Sequence, residues 1–196
     1  MAKTDPAARK RERRKAIRWV ATVFFATILI SGTISLVSDM VMSASSMVVA
    51  FLILLLIIFV GIIFDIIGMA VATADEKPFH AMAARKVPGA RAAITLLRNA
   101  ERVSSICNDV VGDICGVVSG SASALIASQI IANFEFSWPK VISLAMSALC
   151  AGLTVGGKAI GKSIAVSSCT EIVHTVGKVI YRFRCLTGGN DKKKRK

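Results

Sequence analysis

The residues most able to do chemistry in this chain are four charges set in otherwise apolar sequence: Asp65, Asp109, Asp113 and Lys158, with the amide of Asn108 beside the second. Asp109 and Asp113 are four residues apart, which on a helix places them one turn apart on one face. Asp65 falls in the inner half of its apolar segment, and Asn108 sits at a comparable depth in the next. Carboxylate and amide oxygens converging at one level suit a hard cation such as Mg²⁺. An equally physical alternative is that these groups pair with one another or with Lys158 and hold helices together. An ionisable group in the middle of a membrane helix costs about 2.5–3.5 kcal/mol on insertion scales, so such positions are functional candidates by default.

The segments that must position them are membrane spans. The chain has 196 residues, 54% of them hydrophobic, with a mean hydropathy of +0.64. Of its 25 Lys and Arg residues, all but Lys140 fall in three blocks, 3–18, 77–102 and 158–196. Four apolar segments lie between and beside these blocks. Short loops rich in Lys and Arg stay cytoplasmic, so the partition predicts a multi-pass protein of the cell membrane with both termini inside. The +13 net charge is then explained without nucleic acid, and the lipid bilayer is the expected partner, with anionic lipid at its inner surface attracted to Lys192 to Lys196.

The expected organisation is all-α. Residues 1–16 are a basic cytoplasmic tail, and 17–38 form a first span of about 20 residues, enough for a ~30 Å core. A basic start followed by an apolar stretch is also how a cleaved signal begins, but the stretch is long for one and Ser43-Ala44-Ser45 is a mediocre cleavage site. The second span is expected at 46–74. Residues 75–102 are read as short juxtamembrane helices punctuated by Pro78 and Val87-Pro88-Gly89. The third span is placed at 103–132. An outer turn follows at 133–140, where Trp138 suits the aromatic belt. The fourth span is placed at 141–157, a final amphipathic segment at 160–184, and a basic tail at 186–196. Asn108, Gly112, Gly116 and Gly120 recur every four residues, and Gly152 and Gly156, then Gly157 and Gly161, repeat the spacing. Small residues at this interval let helices approach closely in lipid, so these glycines are assigned to helix packing.

Five cysteines show neither CxxC pairing nor zinc spacing, and two isolated histidines, His80 and His174, have no triad, phosphate loop or metal pattern near them. A conventional enzyme is not expected.

Three stretches resemble the transmembrane domain of the cyclin M/CorC magnesium transporters, whose bacterial members are often labelled hemolysin-like. Phe64-Asp65-Ile66-Ile67-Gly68-Met69-Ala70-Val71-Ala72-Thr73-Ala74-Asp75 is similar to the end of that family's first helix. Leu97 to Gly112 is similar to the beginning of its second. Gly157-Lys158-Ala159-Ile160-Gly161-Lys162-Ser163-Ile164-Ala165 is similar to the G-E-x-x-P-K-x-x-A signature ending its last helix. Order and spacing agree over residues 46–185.

The resemblance implies a three-helix unit, a homodimer and an inward-facing acidic cavity that takes dehydrated Mg²⁺. The positions corresponding to its ion ligands are Asp65 and Gly68, then Asn108, Asp109 and Gly112, then Lys158. This sequence departs from the pattern in ways that matter. Gly68, Gly112 and Lys158 have lost oxygen ligands, while Asp65 and Asp109 have gained charge. An ammonium has three donors and no acceptor, and it repels a nearby cation. Nothing in the chain resembles the family's CBS pair, and the basic tail and first span are additions to it. Two functions follow: a divalent-cation transporter or exchanger, with Asp65, Asn108, Asp109 and Asp113 lining the path, or a non-transporting scaffold or regulator in which Lys158 replaces the ion. On the second, bound Mg²⁺ is weak or absent.

Overall fold

A computed structural model describes residues 6–43, 45–133 and 138–186, all helical apart from short joints. Four of its helices are long and apolar enough to cross a membrane. In chain order these are α1 (Pro6–Ser43) and α2 (Met47–Thr73); a third built from α5 (Ala100–Ser105), a π-helical segment (Ile106–Val111) and α6 (Gly112–Asn133); and α7 (Pro139–Ser167). Two short helices, α3 (Lys77–Ala84) and α4 (Ala90–Arg98), fill the joint after α2, and α8 (Cys169–Leu186) follows α7. The protein is therefore an all-α, polytopic helical membrane protein.

Two apolar clusters hold the bundle, one toward each end. The first joins Met42 at the end of α1 to Ala50, Leu54 and Ile58 of α2, Ala122 and Ile126 of α6 and Cys150 of α7. The second joins Ala70 and Val71 of α2 to Phe79 of α3, Ala93 of α4, Ala165 of α7 and Val173 of α8. The α1–α2 joint and the α6–α7 joint thus lie at the same end, as four antiparallel crossings require. Away from these clusters the spans expose large apolar side chains, such as Leu52, Leu56 and Phe59 on α2 and Leu144 and Val155 on α7. Exposure of this kind is costly in water and costless against lipid chains.

Several boundaries differ from expectation. The first span extends to Met42 because the helix continues past Asp39 to bury that methionine. The fourth continues ten residues past Gly157 to Ser167, and the break falls at Ser168, so the final amphipathic helix starts at Cys169 rather than Ile160. Gly157 and Gly161 explain the continuation. A Cβ on either would collide with Ile62 or Ile66 of α2, so these glycines keep α7 pressed along α2 beyond Lys158. The basic tail begins as helix, at Pro6. Half of the expected outer turn, 134–137, and the C-terminal tail after Leu186 lie outside the described residues.

At the end occupied by α3, α4 and α8, Gly89 (φ 87) begins α4 in a left-handed conformation that glycine adopts without strain. It also meets α8 backbone to backbone. A Cβ on Gly177 would stand 2.7 Å from the Gly89 carbonyl oxygen, and one on Gly89 would stand 2.6 Å from the Lys178 nitrogen. Glu76 links the start of α3 to the end of α4, accepting a 2.9 Å bond from Arg98 Nε while lying 3.3 Å from His80.

Candidate functional site

Between the two apolar clusters lies one polar level. On α2 it falls at Asp65, after Ile58 and before Ala70; on α7 at Lys158, after Cys150 and before Ala165. Asp65 stands eight residues, and Lys158 nine, from the end of its helix, about 12–14 Å at 1.5 Å per residue. α2 and α7 run in the same direction, each ending in the second cluster, so equal depth brings the side chains together. Lys158 Nζ is 3.9 Å from Asp65 Oδ1, with the lysine side chain 29% exposed and the aspartate 18%.

The third helix closes the level with a residue that has no side chain. A Cβ on Gly112 would lie 3.4 Å from Lys158 Nζ and 3.9 Å from Asp65 Oδ1, so glycine leaves the space into which the lysine reaches. The ammonium and carboxylate are within ion-pair distance but beyond a direct hydrogen bond. Such an arrangement is an electrostatic couple in a partly dry setting, where attraction is stronger than in water and desolvation opposes it.

Asn108 sits beside this couple on the π-helical segment. Its Nδ2 donates a 3.3 Å hydrogen bond to Ser104 Oγ, while its Oδ1 is buried and has no hydrogen-bond partner. The oxygen lies against Gly68, three residues after Asp65 on α2, where any Cβ would overlap it. A π turn is wider than an α turn and recurs at functional positions. Here it spans Ile106–Val111 and so sets the orientation of both Asn108 and Asp109.

Of the four candidate cation ligands, Asp65 and Asn108 face neighbouring helices. Asp109 and Asp113 are both exposed. Among the described residues, no group of three or more His, Cys, Asp and Glu side chains is placed to hold a metal ion. The one-level convergence expected of the three aspartates is thus not found; a lysine completes the level instead.

The glycine assignment also needs correction. Gly112 is buried, but a Cβ on Gly116, Gly120, Gly152 or Gly156 would meet nothing within 4 Å. A strict four-residue repeat drifts about 40° per step around an α-helix, so the stripe leaves the interface that Gly112 enters. The buried face of α6 instead passes through Ile114, Val118, Ser119, Ala122, Ser123, Ile126 and Ala127. Its two serines satisfy themselves within the helix: Ser119 Oγ donates to the Gly116 carbonyl at 3.0 Å and Ser123 Oγ to the Gly120 carbonyl at 2.8 Å. The glycines that bring helices together are Gly61 against Cys115, Gly68 against Asn108, and Gly157 and Gly161 against Ile62 and Ile66. Gly68 and Gly157 carried a signal in sequence, since each lies within three residues of a charge in an apolar span. Gly61 carried none.

Gly152 and Gly156 form part of an open apolar groove of about 730 Å³ between α2 and α7, walled by Leu52, Leu56, Phe59 and Ile160. It offers no charged group and faces outward from the bundle. No family model matches the chain, and no curated protein or solved structure is found to be similar to it.

Proposed function

We propose that this protein is a non-transporting member of the cyclin M/CorC transmembrane type, a membrane scaffold or regulator in which the Lys158 ammonium stands where the family holds a cation. The observation that carries the reading is the 3.9 Å approach of Lys158 Nζ to Asp65 Oδ1 at a level bounded by apolar clusters. A positive charge already placed against the carboxylate repels a second one and occupies the space above Gly112. In this reading both termini are cytoplasmic, the membrane is the cell membrane, the chain acts as a homodimer, and it catalyses no reaction.

A second reading, a divalent-cation transporter or exchanger, is favoured by one specific observation. Asn108 Oδ1 is a buried acceptor without a partner, and buried acceptors are ordinarily satisfied. Magnesium titration by calorimetry of the purified protein separates the two. The unmodified protein is expected to give no saturable heat, whereas Lys158→Glu restores a carboxylate and should make the fold dependent on divalent cation. Stoichiometric Mg²⁺ binding by the unmodified protein would overturn the ion-replacement reading.

A further inference from the structure

The helix that follows the last span has two apolar sides, one buried in the bundle and the other exposed. Val173 and Gly177 of α8 are buried against α4 and the end of α2, and the backbone contact between Gly177 and Gly89 fixes the rotation of the helix. Val179, Phe183 and Leu186 follow at the spacing of one helical stripe, and all three are exposed, at 49%, 65% and 83%. Gly177 and Val179 are two residues apart, hence about 200° around the helix, so this stripe lies opposite the docked side. Lys178 and Arg182, both exposed and one turn apart, flank it.

The position of α8 says what such a surface meets. Only Ser168 separates it from the membrane-spanning α7, and it packs on Ala70 and Val71, near the end of the membrane-spanning α2. It therefore lies where the bilayer ends. An amphipathic helix held there, with apolar side chains on one stripe and cations beside it, has the form of an in-plane interfacial helix. Its neighbours at this end are also basic: Arg91 on α4 and Lys162 on α7 are exposed. Charge complementarity selects anionic headgroups over zwitterionic ones.

We propose that the segment Lys178 to Leu186 of α8 is an anionic-lipid docking surface, with Val179, Phe183 and Leu186 entering the acyl boundary and Lys178 and Arg182 engaging headgroup phosphates. This inference rests on the membrane reading of the spans and is independent of the Asp65–Lys158 couple and of which leaflet α8 occupies.

The test is amide hydrogen exchange of the full chain in nanodiscs of phosphatidylcholine alone, or of phosphatidylcholine with a minority of phosphatidylglycerol. Both leaflets have the same composition, so sidedness does not enter. Exchange over 178–186 is expected to slow by about tenfold or more on adding the anionic lipid, with α2 amides unchanged. The double substitution Lys178→Gln with Arg182→Gln should abolish that increment while leaving the tail Lys192 to Lys196 intact. Val179→Ser should speed exchange of the segment in both lipids. Equal exchange of the unmodified protein in the two lipids would overturn the proposal. So would an increment that survives the double substitution, which would assign it to the tail, or one that grows with the number of chains per disc, which would assign the stripe to a second copy.

Discussion

Asn108 can lie against α2 only because residue 68 is glycine. A methyl group there would overlap Asn108 Oδ1 and stand 2.7 Å from its Cγ and 3.0 Å from the Cβ of Cys107. Both obstructing residues belong to the π-helical segment, whose backbone is already committed to its wider turn. Gly68→Ala should therefore destabilise the bundle by roughly 1–3 kcal/mol, the range for overpacking a filled site. Thermal unfolding in detergent checks it. Gly120→Ala is the control, since nothing lies within 4 Å of that position, and it is expected to be neutral or slightly stabilising because alanine is the better helix former.

The Lys158–Asp65 couple predicts a pattern across three variants. Lys158→Met leaves a carboxylate without its cation and should lower the thermal midpoint. The loss should fall below the roughly 3–5 kcal/mol typical of a broken fully buried pair, because the two side chains retain 29% and 18% exposure. Asp65→Asn combined with Lys158→Met removes both charges and should recover most of that loss. A double variant no better than Lys158→Met would show that the carboxylate is satisfied by something other than the lysine.

Orientation is checked by thiol labelling in intact cells. A cysteine introduced at Lys140, exposed at the start of α7, is expected to react with an impermeant maleimide. The native thiol of Cys185, exposed near the end of α8, should react only after permeabilisation. The partition of basic residues requires this order, and the opposite order would invert the topology.

The polar level was only half legible in sequence. Asp65, Asn108 and Lys158 declared themselves as polar groups in apolar sequence, but the shared depth of Asp65 and Lys158 follows only from α7 running on to Ser167. Asp109 and Asp113 gave the same signal and yet are exposed. Depth along a helix can be counted, but rotation about its axis depends on helix type. The π turn over Ile106–Val111 changes that rotation without leaving a composition that reveals it. The spans themselves were easier, because hydropathy and charge blocks act over twenty residues at a time. α2, expected at 46–74, runs Met47–Thr73. The end of α7 was misplaced because Lys158 looks like a helix leaving the membrane, whereas its meeting with Asp65 and the close approach of Gly157 and Gly161 to α2 keep the helix packed beyond it.

A fourth expectation concerns the crossing of α4 and α8. Gly177→Val places a branched side chain where Gly89 O and Ala93 already stand 2.7 Å and 3.1 Å from a first carbon. The two helices must part, and amide exchange should rise over Gly89 to Arg98 while the Leu54–Ile126 end of the bundle keeps its protection. Exchange rising equally at both ends would mean that the two apolar clusters unfold as one unit.

Pairing Lys158 with Asp65 also bears on how the protein responds to voltage. A single charge crossing the full membrane potential exchanges about 2.3 kcal/mol per 100 mV with the field. A neutral couple that moves as a unit exchanges nothing, so a rearrangement of α2 and α7 that keeps the two charges together is electrically silent. Neutralising either partner alone turns that silent motion into one that the resting potential can drive.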